Sequence, residues 1–262
     1  MEEELSALLC SGGCNVVRVP HLYHLPHRSE IWHAISALPE PIVLACWLNP
    51  RPAICLMREY AGREPSHVVD LTESQSASEA LASVLEALPG SGDAEGQVRI
   101  VEGAISERWY PVIDLSRCTA CRHCLQFCLF GVYEIDADGS VIAARPDNCK
   151  PGCPACSRIC PQGAIIFPLC DDPAIAGAPG TVMKPDAPAR RMYYLRTGTH
   201  CPACDREAKA GAPPPGADLC PECGSDIDSA EQPADVSPVH QEIDDLIDIL
   251  DGLADESGGE MR

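Results

Sequence analysis

The chain has 262 residues, of which 45% are hydrophobic and 22% charged, as in an ordinary soluble globular protein. Its net charge of −20 argues against nucleic acid and anionic membrane surfaces as partners. No apolar run approaches the roughly 18 residues of a membrane span, and the acidic start MEEEL is unlike a signal peptide. We therefore expect a soluble, cytoplasmic protein. In that reducing compartment, 17 cysteines indicate metal ligation or redox chemistry rather than disulfides.

Charge and cysteine are unevenly distributed along the chain. Residues 109–168 are neutral and contain eight of the cysteines, whereas the segments on either side are acidic. These shifts predict an α+β multidomain protein with five parts. They are an α/β domain of unknown role (1–108), a cysteine-rich unit (109–170), a linker (171–192), a second cysteine module (193–228) and an acidic linker with an amphipathic helix (229–262).

The first part alternates between strand and helix patterns. A helix is predicted from the apolar spacing of residues 31–38, and another from the Ser76–Glu79 capping box that opens the stripe of residues 81–88. Short apolar runs predict strands at 16–19, 41–48, 67–71 and 97–101. This order favours a small α/β layer with a mostly parallel sheet. No glycine-rich phosphate loop is found, so nucleotide binding has no support.

Two sets of residues in the first part have more than one interpretation. Cys10, Cys14, Cys46 and Cys55 could form a metal site, but Cys46 lies within an apolar strand, where buried free cysteine is common. The three histidines at 21, 24 and 27 are more typical of an exposed polar loop than of a metal or proton-handling site.

The strongest signal is a pair of cysteine runs in the middle of the chain. The first, CTACRHCLQFC from residue 118, has the spacing C-x2-C-x2-C-x3-C. The second, CKPGCPACSRICP from residue 149, has the spacing C-x3-C-x2-C-x3-C-P. Structural zinc sites normally use one pair of cysteines repeated once. Two runs of four closely spaced thiolates instead predict two [4Fe–4S] clusters.

Residues 109–168 resemble the bacterial-type dicluster ferredoxins. The resemblance implies crossed ligation, in which the fourth cysteine of each run binds the cluster of the other run. The implied ligands of cluster 1 are Cys118, Cys121, Cys124 and Cys160. The implied ligands of cluster 2 are Cys128, Cys149, Cys153 and Cys156.

The flanks of the two runs also fit this family. RWYPVIDL and AIIFP resemble its paired terminal strands, and VYEIDADGSVIAA predicts a hairpin that turns at Asp138-Gly139. Two departures are the three residues between Cys149 and Cys153, and Leu129 in the place of a proline. Neither removes a ligand. His123 could tune a cluster by hydrogen bonding to sulfur, but a solvent-facing spacer is favoured.

A second metal site is predicted near the C-terminus. Four cysteines with the spacing C-x2-C-x15-C-x2-C resemble the knuckles of a zinc ribbon and predict one structural Zn²⁺, held by Cys201, Cys204, Cys220 and Cys223. Rubredoxin-type iron, or a redox pair of Cys201 and Cys204, are less favoured alternatives. Residues 171–190, rich in proline, alanine and glycine, predict an extended linker before this module.

The last segment predicts an acidic amphipathic helix. Its apolar stripe comprises Ile243, Leu246, Ile247, Leu250 and Leu253, with aspartates around it. Such a helix either packs on its own protein or docks on a basic-surfaced partner.

Together the parts predict an electron-transfer protein that relays single electrons between redox-partner proteins. One alternative is a redox enzyme subunit with a catalytic or substrate site in residues 1–108, although the sequence there shows no recognisable set of catalytic residues. Another is a redox sensor or assembly protein whose clusters are structural.

Overall fold

The structure is a computed structural model that describes residues 1–88, 95–199 and 201. The chain divides into two compact units, Met1–His200 and Cys201–Arg262. The boundary expected at residue 108 thus falls inside the first unit, and so does the boundary at residue 170. No helix in the described part of the chain is long and apolar enough to cross a membrane.

The first 100 residues alternate between helices and short parallel strands, as the sequence predicts. The helices are α1 (Glu2–Ser11), α2 (Glu30–Ser36), α3 (Pro50–Ala61) and α4 (Ala77–Ala87). The strands are β1 (Val16–Arg18), β2 (Val43–Cys46), β3 (His67–Asp70) and β4 (Val98–Ile100). Strand β1 pairs with β4 and β2 pairs with β3, both in parallel. Among the described residues these are two separate two-stranded sheets rather than one.

The capping box at the start of α4 is present in the structure. The Ser76 hydroxyl accepts a hydrogen bond from the Glu79 backbone N–H at 3.2 Å. The Glu79 carboxylate in turn accepts from the Gln75 N–H at 2.8 Å. The two side chains satisfy donors that a helix start would otherwise leave unpaired.

The cysteine-rich part contains two antiparallel strand pairs and two short helices. Its elements are β5 (Val112–Ile113), α5 (His123–Phe127), β6 (Glu134–Ile135), β7 (Val141–Ile142), α6 (Ala155–Ile159) and β8 (Ile165–Ile166). Strand β5 pairs with β8, which confirms the predicted terminal strands. Strand β6 pairs with β7 around Gly139, which has a φ of 83° and confirms the predicted hairpin.

The structure differs from the extended linker expected at residues 171–192. Helix α7 (Pro173–Ala176) lies within this segment, and α8 (Ala187–Thr197) begins in it. Ile175 is fully buried, and its carbonyl accepts from the Phe167 N–H at 2.9 Å. Local caps explain both helices: Asp172 and Asp186 accept backbone N–H bonds at the two N-termini, and glycines in left-handed conformation end them.

The two halves of the first unit share a hydrophobic core. Tyr110, Val112 and Ile166 pack in one cluster with buried residues of α2 and α3. A polar link reinforces this junction, because Arg51 of α3 donates to the Asp114 carboxylate at 2.8 Å and to the Gly163 carbonyl at 2.6 Å. The exposed fractions of the two side chains are only 18% and 7%.

The Arg51–Asp114 ion pair affects the charge state of Asp114. Burial alone would raise the pKa of this carboxyl, but hydrogen bonds from Ser116 and Arg51 hold it below its ordinary value. The charge of the buried Asp114 carboxylate is therefore stabilised by its hydrogen bonds from Ser116 and Arg51.

We predict that Arg51→Met lowers the free energy of unfolding by about 3 kcal/mol, because it leaves the Asp114 charge buried without its cation. The matched control is Arg58→Met on the same helix, where the exposed pair with Glu64 should contribute only about 0.5 kcal/mol. Urea unfolding followed by circular dichroism measures both. Equal losses would contradict the view that the junction depends on Arg51.

Candidate functional site

Four of the eight central cysteines line one cavity of about 360 Å³, a volume that includes its open mouth. Cys118, Cys121 and Cys124 come from the first run, and Cys160 comes from the second. Cys124 and Cys160 are buried, whereas Cys121 is exposed at the rim. The structure therefore brings together the four residues that the sequence analysis assigns to cluster 1.

Backbone conformation directs the first run around this cavity. The Cys118 N–H donates to the Asp114 carbonyl at 3.0 Å, which closes the turn after β5. Ala120 and Arg122 then adopt left-handed conformations, with φ of 52° and 65°, although neither is glycine. Such residues are uncommon and need support from the surrounding structure. They bend the loop so that three cysteines face one cavity.

Cys160 reaches the same cavity from the end of α6. It follows the last residue of that helix, and its sulfur accepts a hydrogen bond from the Ala164 N–H at 3.3 Å. A backbone amide that points at sulfur stabilises negative charge there. The geometry suits a thiolate ligand.

The other four cysteines also lie near one another. Burial, together with the neighbouring Cys153 and Cys128, raises the pKa of Cys149 to about 12. Burial likewise raises the pKa of Cys156, and Cys149, Cys124 and Cys128 raise it as well. Cys128 follows α5, just as Cys160 follows α6. The fourth cysteine of each run thus directly follows one of two short helices.

The chemistry of these donor sets fits a metal cluster. Burial raises the pKa of Cys124 to about 12, so an isolated thiolate is unfavourable there and requires a nearby cation. Thiolates select iron–sulfur clusters and other soft metals. Within residues 1–88, 95–199 and 201, no three His, Cys, Asp or Glu side chains converge on a single metal ion. A cubane is larger than one ion, and its four cysteines bind different irons.

Two aromatic side chains that sequence reasoning missed contact the second set. The buried Tyr133 hydroxyl donates to the Cys156 sulfur at 3.0 Å. The Trp109 indole N–H donates to the Cys153 carbonyl at 3.2 Å, and its ring stacks on Phe167 at 5.2 Å between centroids. Both residues lie in segments with ordinary strand patterns, so spacing alone gives no sign of these contacts.

Comparison with curated proteins finds one similar region. An "uncharacterized ferredoxin" of Methanocaldococcus jannaschii is 46% identical over 61 residues, which are 23% of this chain and 41% of that protein. Part of this chain is a ferredoxin-type segment. The chain spans less than half the length of that relative, no family model matches it, and no solved structure matches it.

His123 is not the solvent-facing spacer that the sequence favours. It begins α5, lines the first cavity and is half-buried. Its ring lies 4.3 Å from that of Tyr193 on α8, between centroids, and burial lowers its pKa. The cause is α8, which packs against α5 and which the sequence analysis did not predict.

Three cysteines of the first half make separate contacts in the structure. The Cys10 sulfur donates to the Gly96 carbonyl at 2.8 Å, and the Cys46 sulfur lies 3.8 Å from the Leu48 carbonyl. Cys55 is buried in the core, where burial raises its pKa to about 12. A buried thiol of this kind contributes to packing.

His21, His24 and His27 are half-buried rather than exposed. His27 stacks on Tyr60 at 4.9 Å between centroids, and its Nε2 lies 2.9 Å from the Arg108 guanidinium. Burial first, and then the charge of Arg108, lower the pKa of His27 to about 4. This histidine is therefore neutral at pH 7.

Most of the expected zinc site lies outside the described residues. Cys201 is buried, whereas Cys204, Cys220 and Cys223 lie beyond the part of the chain that the structure describes, as does the segment 229–262 in which the acidic helix is predicted.

The backbone beside Cys160 leaves no room for a side chain. A Cβ at Gly163, which has a φ of 55°, would lie 2.4 Å from the Met183 carbonyl oxygen. We predict that Gly163→Ala lowers the free energy of unfolding by more than twice as much as Gly180→Ala. Gly180, with a φ of 73°, has open space around it, so its substitution costs only the backbone strain of about 1 kcal/mol.

Urea unfolding of both alanine variants measures this difference, and the visible absorption of the loaded protein reports on the first cavity. If both variants lost a similar amount of unfolding free energy, the backbone at Met183 would not pack closely against Gly163.

Proposed function

We propose that residues 109–170 form the ferredoxin-type segment and hold two [4Fe–4S] clusters that relay single electrons between redox-partner proteins. Cluster 1 would be held by Cys118, Cys121, Cys124 and Cys160. Cluster 2 would be held by Cys128, Cys149, Cys153 and Cys156.

One observation carries this proposal: both cysteine runs contribute to the first cavity. Cys160 lies 36 positions beyond Cys124 in the sequence, yet its sulfur lines the same cavity. A zinc site built from a single run would not need this residue. Crossed contributions are the arrangement expected of a two-cluster ferredoxin.

In this relay the protein would hold the two clusters in position and keep water away from them. Each bound cluster supplies reversible one-electron chemistry. Helix α5 carries Cys124 of one set and leads to Cys128 of the other, while α6 carries Cys156 and leads to Cys160. Because α5 and α6 pack together, the two sets share their supporting helices. Buried aromatic and aliphatic residues surround both sets and limit access of water.

The C-terminal part would add a structural zinc and a docking element. We propose that Cys201, Cys204, Cys220 and Cys223 hold one Zn²⁺, and that the acidic tail recruits basic-surfaced redox partners. A cytoplasmic location is also proposed, because a reducing compartment would keep the cysteines of this chain available for metal ligation.

A second candidate function is that of a redox enzyme subunit with its substrate site in residues 1–108. The observation that favours it is a contact between the two halves of the first unit, because Cys149 packs against the core formed by α2 and α3. The first half therefore lies directly beside a ligand of the second cluster. Turnover of a small molecule by the reduced protein would support this alternative.

We predict that four single variants fall into two crossed pairs. Cys160→Ser should perturb the same cluster as Cys121→Ser, and Cys128→Ser the same cluster as Cys153→Ser, because the proposal assigns each of these sulfurs to the cluster of the other run. Loss of one thiolate should convert that cluster to a three-iron form or release it, while the other cluster survives.

Electron paramagnetic resonance of the reduced variants identifies which signal is lost. Cys170→Ser, outside both sets, is the matched control and should retain both signals. If Cys128→Ser behaved like Cys121→Ser, and Cys160→Ser like Cys153→Ser, each run would hold its own cluster and the proposal would fail.

A further inference from the structure

Tyr133 is a buried tyrosine whose hydroxyl points at a cluster ligand. Its exposed fraction is 3%, and its hydroxyl donates to the Cys156 sulfur at 3.0 Å. The ring packs in the core shared by Ile113, Val141 and Phe167. Within the part of the chain that the structure describes, Tyr133 is the one side chain that donates to a sulfur of the eight central cysteines.

The position of Cys156 makes this hydrogen bond important for redox chemistry. Cys156 is buried, with an exposed fraction of 8%, and it is the buried member of a set whose other three cysteines are only partly buried. Adding an electron adds negative charge, and negative charge is costly in a buried, low-dielectric environment. Charge that reduction places on the Cys156 sulfur is therefore unfavourable unless a donor stabilises it. A hydrogen-bond donor at the ligand sulfur opposes this effect, since it stabilises the more negative state.

We propose that Tyr133 is a positioning residue that raises the reduction potential of the second cluster by donating its hydroxyl proton in a hydrogen bond to the Cys156 thiolate. The proposal rests on the cluster assignment made above. It deepens that function by giving each cluster its own hydrogen bond to a buried ligand sulfur. The Ala164 backbone N–H donates to Cys160 of the first set, and the Tyr133 hydroxyl donates to Cys156 of the second.

The electron balance of this step is simple. One electron leaves an external one-electron reductant, such as a low-potential dye, and enters the second cluster. The tyrosine is neither oxidised nor deprotonated, and no bond to it forms or breaks. The proton stays on the phenol oxygen, and the O–H group interacts more strongly with the sulfur as the negative charge on sulfur grows.

The test compares Tyr133→Phe with Tyr110→Phe in the full chain. Tyr133→Phe keeps the ring that fills the core and removes only the donor. Tyr110 is equally suitable as a control, because it is buried in the same unit and its hydroxyl has no hydrogen-bond partner among the described residues. Potentiometric titration followed by paramagnetic resonance reports the potential of each cluster.

We expect Tyr133→Phe to reduce the equilibrium constant for reduction of the second cluster about tenfold, which is about 59 mV for one electron. The first cluster should keep its potential, and Tyr110→Phe should change neither. A purely structural role of Tyr133 would shift both clusters or lower the iron content. An unshifted second cluster in a fully loaded Tyr133→Phe variant would overturn the proposal.

A measurement on the unaltered protein covers the case in which Tyr133→Phe loses iron. Electron–nuclear double resonance should detect a tyrosine-derived exchangeable proton coupled to the second cluster. Labelling with ring-deuterated tyrosine, which adds close deuterons at the same site, identifies the residue. Absence of both couplings would overturn the role of Tyr133. Absence of any cluster signal would instead overturn the proposed function.

Discussion

A buried thiolate is unfavourable unless a cation offsets its charge, and the cysteine-rich part of this chain buries several thiol groups within a small core. Burial raises the pKa of Cys124, Cys149 and Cys156 well above that of a free thiol. Their removal from water is therefore compatible with a charged state only if metal is bound. Under the proposed function, metal binding and folding of this unit would be coupled for that reason. The short strands and five-residue helices around the cysteines are too small to form an extensive core alone.

The first half of the unit contributes support that a small free-standing ferredoxin would lack. Tyr110 and Val112 extend from the cysteine-rich part into the core beneath α3, and Arg51 fixes both Asp114 and Gly163. Asp114 lies between the cavity-lining residues Ile113 and Cys118, and Gly163 lies between Gln162 and Ala164. The arginine thus ties the backbone beside the first cavity to a helix outside it. We infer that residues 1–108 stabilise the electron-transfer segment, whatever further role they have.

Sequence patterns predicted the features that depend on local chemistry. Ser76 with Glu79, and Gly139 at the hairpin, act within a few residues, so spacing alone reveals them. Helix α3 also has readable signals that the sequence analysis did not use, namely Pro50 at its start and Gly62 in left-handed conformation at its end. The four-residue helix α7 is too short for any periodicity to show.

Features that depend on tertiary contacts could not be predicted in this way. Tyr133 occupies an ordinary position before a strand, and only the packing of α6 brings the Cys156 sulfur to its hydroxyl. The half-buried state of His123 likewise depends on α8, a helix 64 positions further along the chain. In the cysteine runs, by contrast, spacing indicated the ligand type, and the resemblance to dicluster ferredoxins grouped Cys160 with the first run, whose cavity it lines in the structure.

The central claim is that one compact segment holds two clusters close together, and the fully reduced protein tests it most directly. Anaerobically purified protein should contain about eight irons in this segment per chain. Its paramagnetic resonance spectrum should integrate to about two unpaired spins per chain, with the broadening that arises when two such centres interact. About four irons and a single unbroadened spin would contradict the account, because only one of the two cysteine sets would then hold a cluster.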